Sequence, residues 1–475
     1  MIDDSVIVRL LRQYNPWWLN GESRLDVPAH QRHAYKEVEH LLRRGRLRRF
    51  AMLIGPRRVG KTTVMEQQIN ELLGSGIPGR QILYLSFDNP VFAAAGMERV
   101  LQVYEQMHPV EHGQGLRYYF FDEVQNMRNW SLWVKVLYDT RKDIRLVATG
   151  SASPVIVKGA ADSGVGRWVV IPMPTLNFHE YCNLKGISIS GALPEWNMLA
   201  SLSPAALHEL MGRLAPLQTV WNHYLLTGGF PEMMEESDVG EIQRMLREDV
   251  IDKVLKRDIP SLFEVRNPAD LEKIFLYLCL HSSNIINFST MCRELEGISQ
   301  PTLTRYVQYL RDAHLIYLSH PVAHSGKKTL SGQPKIYVAD PALREAVLMQ
   351  PMPFEDATEM GIVAKTAVFK HFYQACRGSQ VGYMRLGGRS NKEIDVAVQY
   401  PTGQCILCEV KYKNSAQLTR DSGILTQCRT GNPQLALLAT KNADDYGLTP
   451  AAAATPPLLR IPAFALCYLL GKEVS

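Results

Sequence analysis

The sequence has no long apolar run. Its nearest approach, residues 461–470, is half the length of a membrane span and includes a proline, so a bilayer-crossing role is not expected. The first nine residues carry Asp3 and Asp4 and lack the basic-then-apolar order of a secretory leader. Cysteine is sparse, with eight scattered through 475 residues. That argues against a disulfide framework and for free thiols in a reducing, cytoplasmic setting. Cys405 and Cys408 form a lone C-x-x-C without a second Cys or His pair nearby, and read as buried strand thiols rather than a zinc site. Excess charge is small too: a net +5 does not make a chain that coats nucleic acid, so any such contact must come from a local patch. Internal repeats and low-complexity tracts are also missing.

What is present is an ordinary globular composition, 46% hydrophobic and 21% charged, in a chain too long for one core. Residues 6–14 have helical apolar spacing, stopped by Asn15-Pro16 and followed by Trp17-Trp18 as an apolar anchor. This suggests a helical brace over residues 1–45. Five arginines within residues 43–49 form either a solvated turn or a phosphate-facing patch. From residue 50, short apolar runs alternate with amphipathic segments, the pattern of a parallel α/β sheet. The runs expected as strands are 50–54, 82–86, 118–121, 145–148 and 168–171, with helices at 64–73 and 130–138. Residues 205–224 read as one helix closed by the turn Thr227-Gly228-Gly229-Phe230-Pro231, and residues 249–282 as helical again.

Gly55-Pro56-Arg57-Arg58-Val59-Gly60-Lys61-Thr62 fits the phosphate-loop pattern of Gly, four residues, then Gly-Lys-Thr, with Thr63 directly after it. The glycines let backbone N–H groups turn toward β- and γ-phosphates, Lys61 adds a point charge, and the Thr62 hydroxyl suits Mg²⁺. Residues 116–121 form an apolar run ending in Asp122-Glu123, which delivers two carboxylates at the carboxyl end of a strand, where open α/β sheets bind ligands. Asp122 is expected in the Mg²⁺ shell and Glu123 as the group that polarises the attacking water. The next strand ends in Ala148-Thr149-Gly150-Ser151, placing small hydroxyl residues, Ser151 among them, beside the same crevice. A turn-capping role for them is the alternative.

Further along, residues 288–315 read as helix, turn, helix, followed by two strand-like runs around Gly326-Lys327-Lys328, the order of a winged helix. Gln300, Thr304, Arg305 and Gln308 would face outward on its second helix, with His324, Lys327 and Lys328 on the wing; DNA or a protein partner could meet such a surface. Near the end, Glu393-Ile394-Asp395 lies on one strand and Glu409-Val410-Lys411 on the next. Strand alternation puts Glu409 and Lys411 on one face.

On these motifs the chain resembles AAA+ ATPases of bacteria and archaea that carry an uncharacterised C-terminal region. The matching residues are 55–63, 120–125, Trp130 with Leu137-Tyr138-Asp139, Thr149-Gly150-Ser151, Gly228-Gly229-Phe230-Pro231 and Lys335-Ile336-Tyr337-Val338-Ala339-Asp340. The C-terminal strands resemble a PD-(D/E)XK nuclease core. The resemblance implies an α/β chain with a P-loop core at 46–175, a helical lid at 176–248, a winged helix at 249–345 and a restriction-endonuclease-like domain at 351–475. It implies ATP hydrolysis with Mg²⁺, a homo-oligomeric ring or helix, and Arg167 as a finger completing a neighbour's site, with Arg128 and Arg141 as competitors. In the nuclease-like domain it implies Asp395 and Glu409 as ligands to Mg²⁺ or Mn²⁺ and Lys411 as the partner of the attacking water. One departure is that Lys365 stands where such nucleases offer a helix glutamate, and Glu359 lies nearly two turns earlier. The implied function is binding and remodelling or translocation of DNA, branched DNA included. The rivals are an ATP-controlled switch with a protein partner and an ATPase-gated DNA nuclease of defence or mobile elements.

Overall fold

The structure is a computed structural model and describes residues 2–19, 24–43, 48–109, 115–151, 166–263, 265–322, 332–349, 355–386, 392–419, 422–449 and 456–474. The chain divides into two compact units, residues 1–174 and 175–475.

In the first unit the apolar runs become a parallel sheet in the order β2-β3-β4-β1-β5. Its strands are β1 Phe50–Ile54, β2 Ile82–Ser86, β3 Arg117–Asp122, β4 Ile144–Gly150 and β5 Trp168–Pro172. Strands β1, β3 and β4 are buried along their whole length, which is why they read as continuous apolar runs rather than alternating ones. Helices Lys61–Gly74, Met97–Met107 and Trp130–Thr140 flank the sheet. The N-terminal segment protects the edge strand β2. Asn15 donates to the Tyr84 carbonyl at 3.0 Å and accepts from the Tyr84 N–H at 2.7 Å. Trp17 and Trp18 both donate to the Ile82 carbonyl, at 3.2 and 2.9 Å. These bonds occupy backbone groups that an open edge would offer to another chain.

In the second unit, helix Phe288–Glu294 is followed by helix Gln300–Asp312 and the antiparallel pair β6 Ile316–Ser319 and β7 Lys335–Val338. A six-stranded sheet follows, in the order β12-β13-β11-β10-β9-β8. Its strands are β8 Gln380–Arg385, β9 Glu393–Gln399, β10 Cys405–Lys411, β11 Leu435–Thr440, β12 Gly447–Leu448 and β13 Leu458–Pro462. One face packs on helices Ala357–Ala375 and Ala463–Lys472 and on the segment 176–225, so the residues expected as a lid share a core with the C-terminal sheet. The other face is covered by helix Gly423–Thr430. Residues 320–322 continue from β6 along the β8 edge, with the Val322 N–H donating to the Tyr383 carbonyl at 2.7 Å.

Two helical expectations change. The helix read over 205–224 is two helices, Pro204–Leu214 and Leu217–Thr227, because Pro216 has no N–H to continue the ladder. The stretch 249–282 holds two π-helical segments, Arg247–Asp252 and Val254–Asp258, and then breaks before Asn267, which caps Pro268–Leu280. Among the described residues, no helix is long and apolar enough to cross a membrane.

Candidate functional site

The phosphate loop runs from the end of β1 into helix Lys61–Gly74. Its backbone is bent at two positions, Arg58 with φ 61° and Gly60 with φ 88°, and only the second is a residue without a Cβ penalty there. Gly55 is required for space: a Cβ on it would lie 2.0 Å from the Met173 carbonyl oxygen. Pro56 and Val59 are buried, while Arg57, Arg58, Thr62 and Thr63 are partly exposed. Lys61 is buried, and its ammonium donates to the carbonyls of Gly55 at 3.0 Å and Pro56 at 2.7 Å.

Asp122 ends β3 beside this loop, and three hydroxyls converge on it. Thr62 donates to Oδ2 at 2.9 Å, Tyr84 donates to Oδ2 at 3.0 Å, and Thr149 donates to Oδ1. Burial, and then the charge of Glu123, push the Asp122 carboxyl above its usual range against those donors. Glu123 takes a left-handed conformation, φ 51°, which breaks the strand and turns its side chain out of the β3 row. Its N–H donates to Thr149 Oγ1 at 3.0 Å. Gln125 donates both to the Glu123 carboxylate and, at 3.0 Å, to Ser151 Oγ. Thr62, Asp122, Glu123 and Ser151 are therefore brought together by three strand or loop ends, as the sequence order required.

Two members of this cluster had no signal in the motif. Tyr84 reaches Asp122 from the neighbouring strand β2. Arg32, buried, donates to the carbonyls of Val59 at 2.8 Å and Pro174 at 2.9 Å and so fixes the loop from behind. An apolar run ending next to a carboxylate strand could have pointed to Tyr84; nothing local pointed to Arg32.

The donor set fits a nucleotide with Mg²⁺. Thr62 and Asp122 are already hydrogen-bonded, with oxygen ligands of the hard type Mg²⁺ prefers, and the loop N–H groups lie at a helix N-terminus. When bound, the ion would neutralise phosphate charge.

The arginine candidates separate by place. Arg167 precedes β5, at the end of the strands opposite the phosphate loop, and makes a two-pronged contact with Asp139 at 2.9 and 3.1 Å. Arg141 is tied to Asp143 and Glu105. Arg128 is exposed on the carboxyl side of the sheet. Of the arginine-rich stretch 43–49, residues 44–47 lie outside the described residues. Arg43 pairs with Glu39 and Glu71, and Arg48 lies over the Tyr138 ring, 4.1 Å from its centroid. Among the described residues of the stretch, Arg43 and Arg48 are thus held by contacts within the unit.

In the second unit, Asp395, Glu409, Lys411 and Lys365 line one cleft of about 340 Å³, with Lys392, Glu393, Thr419, Ser422 and Gly423. Asp395 is fully engaged on one oxygen: Lys335 donates to Oδ1 at 2.8 Å and Lys365 at 3.0 Å, while the Val410 N–H donates to Oδ2 at 3.1 Å. Burial works to raise this carboxyl, but Lys335 and then Lys365 hold it well below the usual range. Lys335 itself is buried and also holds Glu393 at 2.7 Å. Glu409 pairs with Lys411 at 2.9 Å through Oε1, and its buried Oε2 has no hydrogen-bond partner. Glu359 is drawn away by Arg344. Two ammonium groups on Asp395 Oδ1 do not suit a divalent ion at that oxygen, whereas Glu409 keeps Oε2 without a lysine. Lys335 stands in the sequence within the run 335–340, and nothing local signals its reach to Asp395.

Cys405 and Cys408 are buried on β10 and, three residues apart, face opposite sides of the sheet, so they do not form one ligand set. On helix Gln300–Asp312, Gln300 and Arg305 are exposed and Thr304 and Gln308 partly so, while Leu303, Val307 and Leu310 are buried. His324, Lys327 and Lys328 lie outside the described residues.

Residues 47–182 match a family described as an AAA domain, and residues 218–353 a domain of unknown function, DUF8612. An uncharacterized protein of Methanocaldococcus jannaschii is 26% identical over 293 residues, 61% of this chain and 60% of its own length. One from Haemophilus influenzae is 23% identical over 298 residues, 62% of this chain and 68% of its own. The chain thus spans about 60% of the length of the first of these relatives. Among solved structures, the Aeropyrum pernix ORC1 protein in complex with DNA is similar at TM-score 0.32 and 13% identity, covering 70% of this chain and 96% of that one. AMPPCP-bound DnaA from Aquifex aeolicus is similar at TM-score 0.27 and 16% identity, covering 63% and 92%. The phosphate loop at the end of β1 and the five-stranded parallel sheet agree with the AAA domain that the segment 47–182 matches.

Proposed function

We propose that the protein hydrolyses ATP and uses the cycle to bind and remodel or translocate DNA. The observation that carries the ATPase half is the Thr62–Asp122 hydrogen bond beside a left-handed Glu123, all at one end of the sheet. In this scheme the loop from Gly55 to Thr63 cradles phosphates and Lys61 moves from its own carbonyls to the phosphate charge. Thr62 and Asp122 hold Mg²⁺. Glu123 takes the proton of the attacking water, and Gln125 with Ser151 orients Glu123.

The same scheme assigns Arg167 to a neighbouring copy's site, since within its own chain it lies at the amino end of the strands, away from the phosphate loop at their carboxyl end. Lys61→Ala protein and Arg167→Ala protein are each expected to be inactive alone, and mixing them to restore a measurable fraction of the ATPase rate. A strictly additive, inactive mixture, with the protein monomeric in ATP, would remove Arg167 from this role. Arg128 would then be tested in the same way.

For DNA, the helix-turn-helix and its hairpin act as a winged helix with Gln300, Thr304, Arg305 and Gln308 outward. Neutralising Arg305, Lys327 and Lys328 together should weaken duplex binding and lower the slope of log affinity against log salt by up to about 3, since each lost phosphate contact releases about one counterion fewer. Unchanged affinity and slope would favour the rival function, an ATP-controlled switch that binds a protein through this surface. The Lys335 and Lys365 contacts to Asp395 weigh against the second rival, a metal-dependent nuclease.

A further inference from the structure

The cleft in the second unit is lined by three ammonium groups, Lys365, Lys392 and Lys411, and three carboxylates, Glu393, Asp395 and Glu409; a fourth ammonium, that of the buried Lys335, lies behind them on Glu393 and Asp395. Each carboxylate has a lysine on at least one oxygen: Lys335 holds Glu393 and Asp395, Lys365 holds Asp395, and Lys411 holds Oε1 of Glu409, whose Oε2 is left without a partner. These pairs position the lysines. Ser422, also on the lining, stands at the start of helix Gly423–Thr430 and makes no side-chain hydrogen bond to the helix N–H groups, a kind of group that favours an anion. A cleft of about 340 Å³ is large enough for a phosphate group with its flanking sugar atoms.

We propose that this cleft binds a phosphate oxyanion without a divalent metal, with Lys335 and Lys365 standing where a metal-dependent nuclease would hold its ion. Lys335 is the fixed charge: it is buried on β7, paired with Glu393 and Asp395 on β9. Lys365, Lys392 and Lys411 are the accessible charges that meet the ligand. Together with the DNA-binding function proposed above, on which this assignment of the ligand rests, the phosphate is that of a DNA backbone. Binding without cleavage follows, because Lys335 and Lys365 occupy the Asp395 oxygen that an ion activating water would need.

The test uses full-length protein carrying Lys61→Ala, so that the phosphate loop contributes little, and two probes: a labelled duplex oligonucleotide and inorganic phosphate followed by its ³¹P line width. Duplex affinity is expected to be equal in EDTA and in Mn²⁺. Adding Lys365→Gln, Lys392→Gln and Lys411→Gln should lower it by at least about tenfold and reduce the salt slope by about 2 to 3. The same triple change should abolish phosphate broadening. Lys392→Gln alone, at an exposed position, should give a smaller loss in the same direction and serves if the triple variant does not fold.

Duplex affinity that needs Mn²⁺, Mn²⁺ bound stoichiometrically without nucleotide as seen by electron paramagnetic resonance, or either probe unaffected by the lysine changes would overturn the proposal. Failure of the two ideas separates cleanly. If no duplex binds but phosphate broadening still depends on the three lysines, the DNA function fails and the cleft takes a small phosphate. If duplex binding persists through the lysine changes but falls with Arg305→Ala, the DNA function stands and the cleft assignment fails.

Discussion

Replacing Glu123 by Gln is expected to leave ATP binding intact and to slow hydrolysis by at least about a hundredfold, a loss of roughly 2.7 kcal/mol in barrier lowering. The amide keeps the size and one hydrogen-bond acceptor for Gln125 but cannot take a proton from water. Asp122 cannot substitute. It is buried, its oxygens accept from Thr62, Tyr84 and Thr149, and it sits in the β3 row, whereas the left-handed turn at 123 sends the next carboxylate elsewhere. A stopped reaction with undiminished ATP affinity, read by filter binding and phosphate release, is the expected pair of results. Lys61→Ala should instead lose affinity as well as rate. Turnover in Glu123→Gln within a few fold of the parent would end the assignment of Glu123 as the base and turn attention to Gln125 and Ser151.

The second large effect is on stability, at Lys370→Met. Lys370 and Asp340 are both fully buried, with Nζ 2.6 Å from Oδ2. Lys370 also donates to the Leu176 carbonyl at 2.9 Å, and Asp340 accepts from Thr175 at 2.7 Å and from the Gly229 N–H at 3.1 Å. A Cβ on Gly228 would lie 2.2 Å from Asp340 Oδ1, and one on Gly229 2.4 Å from the Leu176 carbonyl oxygen, so the double glycine is what lets the chain close over the pair. Removing the lysine strands a buried carboxylate, and such truncations cost about 3 to 5 kcal/mol. Urea unfolding of the variant should therefore show a midpoint far below the parent's at unchanged slope. Asp340→Asn added to Lys370→Met should recover part of the loss, because the stranded charge is gone. A loss under about 1 kcal/mol for Lys370→Met would mean that water or a neighbouring donor replaces the ammonium.

How much of this was legible depended on chain distance. Strands β1 and β2 match their apolar runs to the residue, and β3, β4 and β5 within one or two, because each is a buried run ended by a turn or a functional residue. The phosphate loop was legible because its whole geometry is local. The helix at 205–224 was misjudged where Pro216 interrupts an otherwise even pattern. Contacts made across long separations left no periodic trace: Arg32 meets Val59 across 27 residues, Tyr84 meets Asp122 across 38, and Lys335 meets Asp395 across 60. Lys365 could be flagged because it broke a known pattern at its own position. Lys335 could not, since a lysine starting a short strand is ordinarily solvated.

The run from Lys335 to Asp340 has a bearing on how the second unit can be cut or exchanged. Its first residue is neutralised by Glu393 and Asp395, and its last by Lys370, all of them downstream of residue 350. A fragment ending near residue 350 would keep a buried cation and a buried anion and discard the counterions of both. The C-terminal sheet is for that reason no detachable cassette: shuffling it between homologues, or expressing the helix-turn-helix without it, would succeed only if the strand that carries both charges travelled with its partners.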